Sequence, residues 1–144
     1  MYRKILVALD TGASDLELLP AVTALAKLMQ SELLLVHVAD GWAARNFDQL
    51  KLAESEEMKQ DLRYLEATAE KLRAESHLTV NILLVLGEPP DQILKVAAEE
   101  RIDLIALASH GHRLIGDIIH GSTIDAVRHK ATVPLFVVPP KRAS

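Results

Sequence analysis

Residues 108–127 read ASHGHRLIGDIIHGSTIDAV and lie between an apolar run and a helix-like one. Their types support two kinds of chemistry. Gly111 and Gly121 would let main-chain N–H groups approach a ligand with no Cβ in the way, or would permit positive φ. If a helix opens at Gly121-Ser122-Thr123, its first-turn amides at Ser122, Thr123 and Ile124, with the helix dipole, favour an anion, and both hydroxyls can bond phosphate oxygens. The same three residues are also ordinary helix-capping chemistry, with Ser122 or Thr123 as the N-cap. Spacing alone leaves both readings open. Three of the six histidines, His110, His112 and His120, share this segment, and His129 follows on the next helix. A metal site would need three or four convergent ligands and a second shell, which this spacing does not specify.

Other motifs narrow the chemistry. No Gly-Lys-Ser/Thr occurs, so there is no Walker A loop, and the first apolar run does not lead into Gly-x-Gly-x-x-Gly. A nicotinamide or flavin dehydrogenase is thereby disfavoured. Ser109 and His110 are only sequence neighbours, no Gly-x-Ser-x-Gly elbow is present, and no catalytic constellation emerges. Asp10, at the end of the first apolar run, either caps the following turn or faces a ligand. Asp117 is a second carboxylate able to approach a metal-bound phosphate. His37, inside an apolar run, reads as a hydrogen-bonded core residue.

The elements that must position these residues are five continuous apolar runs: KILVAL (4–9), ELLLVHV (32–38), TVNILLVLG (79–87), DLIALAS (103–109) and VPLFVV (133–138). Runs without alternation fit strands buried on both faces of a parallel sheet. The first helix opens at SDLE, where Ser14 and Glu17 have capping-box spacing, and continues through Leu18, Val22, Leu25 and Leu28 or Met29, with Pro20 near its start. The second spans roughly 46–75, with Leu50, Met58, Leu62, Leu65, Ala69 and Leu72 as a narrow apolar stripe. The third follows GEPP, with Pro90 in its first turn and Ile93, Leu94, Val96 and Ala97 on its buried face. A fourth begins near Ser122 and carries Ile124, Ala126 and Val127. The segment around 40–47 reads as a loop. This βαβαβαβαβ order predicts a three-layer α/β domain, an open parallel sheet with right-handed crossovers. Ligands then bind beyond the carboxyl ends of the strands, after Asp10, Val38, Gly87 and above all Ala108.

Composition removes several function classes. The 144 residues suit one domain, spanning 1–144. A balance of 16 basic and 20 acidic residues with no basic stripe gives no support for nucleic-acid binding. Only 3% aromatic residues argues against a base-stacking platform. The absence of cysteine removes disulfides, thiolate catalysis and cysteine-ligated metal. The N-terminal apolar run is too short for a signal-peptide core or a membrane span, so a soluble, cytoplasmic protein with no membrane insertion is expected. VPLFVV reads as an edge strand open to pairing with another chain, and the trailing PPKRAS as a disordered end.

Taken together, LVALD, LLLVHV, GEPPDQI, DLIALASHG and VPLFVV make the sequence resemble the universal stress protein family over nearly its whole length. Nucleotide-binding members carry Gly-x-x-Gly, nine residues, then Gly-Ser/Thr. Here the string is Ala108-Ser109-His110-Gly111, nine residues, then Gly121-Ser122, with alanine in place of the first glycine. The resemblance implies a Rossmann-like, adenine nucleotide alpha hydrolase-like sheet of order 3-2-1-4-5, with ATP (or AMP or ADP) between the first and fourth strands. It places Asp10 toward the ribose or phosphates, and main chain near Leu9 and Leu33 beside the adenine. Ala108 and His110 fall inside the signature. Gly111, Gly121, Ser122 and Thr123 would hold the phosphates, with Mg²⁺ or Mn²⁺ bound through them. It further implies a homodimer paired through Val133 to Val138, regulating a protein partner in the stress response, with at most slow ATP hydrolysis. The alternative is a nucleotide-free dimeric interaction module.

Overall fold

The structure, a computed structural model, describes residues 1–40, 47–109 and 116–140. Among these residues five strands alternate with four helices: β1 (Lys4–Ala8), α1 (Asp15–Met29), β2 (Glu32–Asp40), α2 (Phe47–Ser76), β3 (Val80–Gly87), α3 (Pro89–Glu99), β4 (Leu104–Ala108), α4 (Gly116–Lys130) and β5 (Leu135–Val138). All strand pairs are parallel, and the order is β3-β2-β1-β4-β5. The expected loop around 40–47 and the chain end after 140 fall largely outside the described residues.

The continuous apolar runs follow from two covered faces. Ile5 and Val7 of β1 pack with Leu18, Val22 and Ala26 of α1 and with Leu65, Ala69 and Leu72 of α2. Leu6, between them, packs on the other face with Ile93, Val96 and Ala97 of α3 and Val127 of α4. Alternate residues of a strand point to opposite faces, so both sets must be apolar. The chain thus winds β1 to β3 with helices on one face, then returns past β1 to β4 with helices on the other. That reversal places β1 beside β4 and opens a crevice between their carboxyl ends.

Three local expectations are corrected. Leu62 does not join the buried stripe of α2; it is 38% exposed, while Tyr64 packs against the core instead. The covered arc of α2 runs from Ala69 through Leu65 and Leu72 toward Asp61, Thr68 and Tyr64, and Leu62 lies on the far side of Leu65 from Tyr64. Ser14 does not close a capping box: it makes no side-chain cap bond, and its Oγ donates to Asp10 Oδ2 at 3.3 Å. Finally, α4 begins at Gly116 and not near Ser122. Gly121, Ser122 and Thr123 therefore lie beyond its first turn, where helix amides bond to carbonyls four residues earlier.

At the carboxyl end of β3, Gly87 has φ +140, and a Cβ there would stand 2.8 Å from the Gln92 side chain. Only glycine takes that backbone without strain. It turns the chain sharply into α3, whose first turn carries Pro89 and Pro90. Among the described residues β5 is an edge strand, bonded to β4 alone, and its Val137 is 42% exposed.

Candidate functional site

A cavity of about 100 Å³ sits at the carboxyl ends of β1, β2 and β4, between α1 and the Thr123–Ile124 segment of α4. Val36, Val38, Ile93 and Leu107 give it apolar walls, while Asp10, Ser14, His37 and Thr123 supply polar groups. Ligand pockets are typically larger, some ~300 Å³ upward, but share this chemistry of apolar walls with a few polar groups. The chain that follows β4, residues 110–115, lies outside the described residues.

The β1–α1 turn on one side of the cavity is held by a buried carboxylate. Asp15, at the start of α1, has no solvent exposure. Its Oδ1 accepts the Asp10 N–H at 2.9 Å and its Oδ2 the Thr11 N–H at 2.9 Å. Tyr64 of α2 donates its hydroxyl to the same Oδ2 at 2.7 Å. Thr11, between these bonds, has φ 59, a left-handed conformation unusual for a β-branched residue. Burial raises the Asp15 carboxyl above its ordinary 3.8, against the opposing effect of the three hydrogen bonds, and the neighbouring Asp10 charge adds to the rise. Burial likewise raises the Tyr64 hydroxyl, with the Asp15 bond second.

A pH dependence follows. A carboxyl with a raised folded-state value contributes most to stability where it is protonated in both states, and that contribution falls as pH climbs through the folded value. The stability of the wild type relative to Asp15→Asn is therefore expected to decline as pH rises above 3.8, then level off. Urea midpoints of both proteins across this range measure it.

His37 marks the β2 side of the cavity. Its Nδ1 is 2.9 Å from the Leu9 carbonyl, and because a carbonyl only accepts, Nδ1 carries the proton. Its Nε2 stands 3.5 Å from Asp61 of α2, an ion pair only when the ring is doubly protonated. The Leu9 N–H donates to the Val36 carbonyl at 2.8 Å. Both main-chain polar groups of Leu9 thus already have protein partners, although its carbonyl keeps a second lone pair.

Of the residues the resemblance assigns to nucleotide binding, Leu9, Asp10, Ala108 and Thr123 line this cavity. Leu33 does not: it pairs with Ile5 near the start of β2, and the β2 residues at the cavity are Val36, His37 and Val38. Parallel register sends the carboxyl end of β2 to the crevice, so a residue near its amino end belongs to the opposite rim. His110 and Gly111 lie outside the described residues, and of Gly121 and Ser122 only the helical backbone is described. Among the described residues no group of three His, Cys, Asp or Glu is arranged to hold a metal. None of the helices among them is long and apolar enough to cross a membrane. Sequence reasoning missed Asp15, whose place beside Ser14 read only as helix opening, and Tyr64, which lies off the apolar stripe.

An open parallel sheet of order 3-2-1-4-5, with a crevice where its winding reverses, defines a Rossmann-like α/β domain. The universal stress protein family model matches residues 1–139, and the chain belongs to that family. Universal stress protein MJ0577 of Methanocaldococcus jannaschii is 28% identical over 163 residues, covering 99% of this chain and 98% of the relative. The solved structure of MJ0577 matches with a TM-score of 0.75 at 29% identity, covering 99% of each chain. Two further solved structures share the fold. One is a universal stress protein in complex with cAMP, with a TM-score of 0.70 and 17% identity over 97% of this chain and 98% of that one. The other, from Archaeoglobus fulgidus in complex with dAMP, has a TM-score of 0.71 and 24% identity over 95% and 98%.

Proposed function

We propose that the crevice between β1 and β4 binds an adenine nucleotide, with ATP as the principal ligand and ADP or AMP as lesser ones. The observation that carries this reading is the junction of two features. The cavity at the winding reversal is lined by Asp10, Ala108 and Thr123, and the Gly111, nine residues, Gly121-Ser122 string leaves β4 at that same point. Complexes of family members with cAMP and dAMP support the ligand class. The apolar walls suit a base, and Asp10 suits ribose hydroxyls. Gly111, Gly121, Ser122 and Thr123 would hold the phosphates, with His110 beside them and Mg²⁺ or Mn²⁺ carried through phosphate oxygens. Because α4 starts at Gly116, capture of phosphate by the amides at 122 and 123 requires its first turns to open back to Gly121. Gly121, inside those turns, makes opening inexpensive, since glycine weakens a helix interior by about 1 kcal/mol relative to alanine.

In this reading the protein is a single-domain cytoplasmic regulator in the stress response, acting on a protein partner and turning over ATP slowly if at all. Nucleotide released on denaturing the purified protein, followed by titration with ATP, ADP and AMP, tests it. Binding is expected in the wild type and lost in Gly121→Val, whose branched side chain would stand where the phosphates approach. No released nucleotide and no affinity at millimolar ATP refutes the reading. That result would favour the nucleotide-free interaction module, for which the Ala108 methyl on the cavity wall is the specific support.

The edge position of β5 and the exposure of Val137 support a homodimer paired through Val133 to Val138. Light scattering coupled to size exclusion is expected to give twice the chain mass at micromolar protein. Val137→Lys, a charge on an unprotected edge, should shift the mass to that of one chain.

A further inference from the structure

We propose that Asp15 is a positioning residue for the crevice, its buried carboxylate clamping the main chain of Asp10 and Thr11 so that Asp10 is presented to the ligand. The proposal takes its ligand from the nucleotide reading above. Asp15 does not line the cavity, whereas Asp10, whose amide it holds, does. A wholly buried carboxylate is costly to bury unless hydrogen-bonded, and here three donors converge on it: two consecutive amides of the β1–α1 turn and the Tyr64 hydroxyl. Tyr64 belongs to α2, so the clamp ties the turn to the packed helix layer and not merely to its own neighbours. The turn needs such a restraint, since Thr11 sits at φ 59, which threonine does not adopt readily. The carboxylate also fills the paired amides with an internal anion, so those two donors are already committed when a ligand arrives. Ser14 completes the arrangement, its hydroxyl donating to the Asp10 carboxylate at 3.3 Å.

Asp15→Asn keeps the shape but leaves one acceptor oxygen and turns an amide NH₂ toward main-chain donors. Tyr64→Phe removes one donor and leaves the carboxylate. Amide hydrogen exchange and ATP titration of the wild type and both variants, well below their unfolding midpoints, test the proposal. In Asp15→Asn the Asp10 and Thr11 amides are expected to exchange about tenfold faster or more, with β2 amides unchanged, and ATP affinity to fall about tenfold. Tyr64→Phe should move both in the same direction by less. Unchanged exchange at Asp10 and Thr11 overturns the clamp, and faster exchange with wild-type affinity overturns its positioning role. If the wild type itself binds no nucleotide, the nucleotide reading falls, and exchange alone then upholds or overturns the clamp.

Discussion

Ala108→Val is expected to fold as the wild type does and to lose nucleotide affinity by about tenfold or more, the equivalent of ~1.4 kcal/mol. Ala108 ends β4, opposite Val138 of β5, and its methyl lies on the cavity wall. A β-branched side chain suits a strand, so the sheet tolerates the change. The cavity is only about 100 Å³, and two added methyl groups take up a large share of it. Ala108→Gly is the control in the other direction: it restores the glycine that nucleotide-binding relatives carry and should hold or tighten binding. Calorimetric titration of the three proteins with ATP decides the matter. Equal affinity in all three would place the ligand away from Ala108 and require another site.

The largest effect on stability is expected at Leu35. This residue of β2 has no solvent exposure and pairs with Val7 on one side and Ile82 on the other, beneath α1 and α2. Leu35→Ala should cost about 3 kcal/mol, the lost burial plus the cavity left in a sheet that relaxes little. Urea unfolding should show a lower midpoint with an unchanged slope, since the surface exposed on unfolding stays nearly the same. Leu62→Ala makes the comparison sharp. Leucine is removed in both cases, but Leu62 is 38% exposed, and a change of only about 0.5 kcal/mol is expected there. Equal losses at the two positions would contradict the packing described for α2.

That contrast shows where the sequence was legible. Four of the five apolar runs contain a strand whole, and β2 runs two residues past its own to Asp40, because burial on both faces leaves a local mark, a run with no polar alternation. The proline pair at 89 and 90 and the Gly87 turn also mark the start of α3 locally. Periodicity placed Leu65, Ala69 and Leu72 on one face, but could not tell whether Leu62 or Tyr64 shared it. That depended on the line along which α2 meets the sheet. The start of α4 misled for a related reason. Gly-Ser-Thr is a good opening, yet the structure extends the helix to Gly116, and local capping chemistry does not decide between two starts.

For the site, the sequence determined the kind of chain and the ends of the strands at which to look. Asp10, Ala108 and Thr123, far apart in the chain, meet at one cavity because β1 and β4 become neighbours when the winding reverses. Register across parallel strands excluded Leu33, which alternation and composition could not do. Asp15 and Tyr64 are 49 residues apart, and neither carries a motif. Only the packing of α2 beside α1 brings the hydroxyl to the buried carboxylate, and only there does an ordinary helix-opening aspartate become the anchor of the turn that carries Asp10.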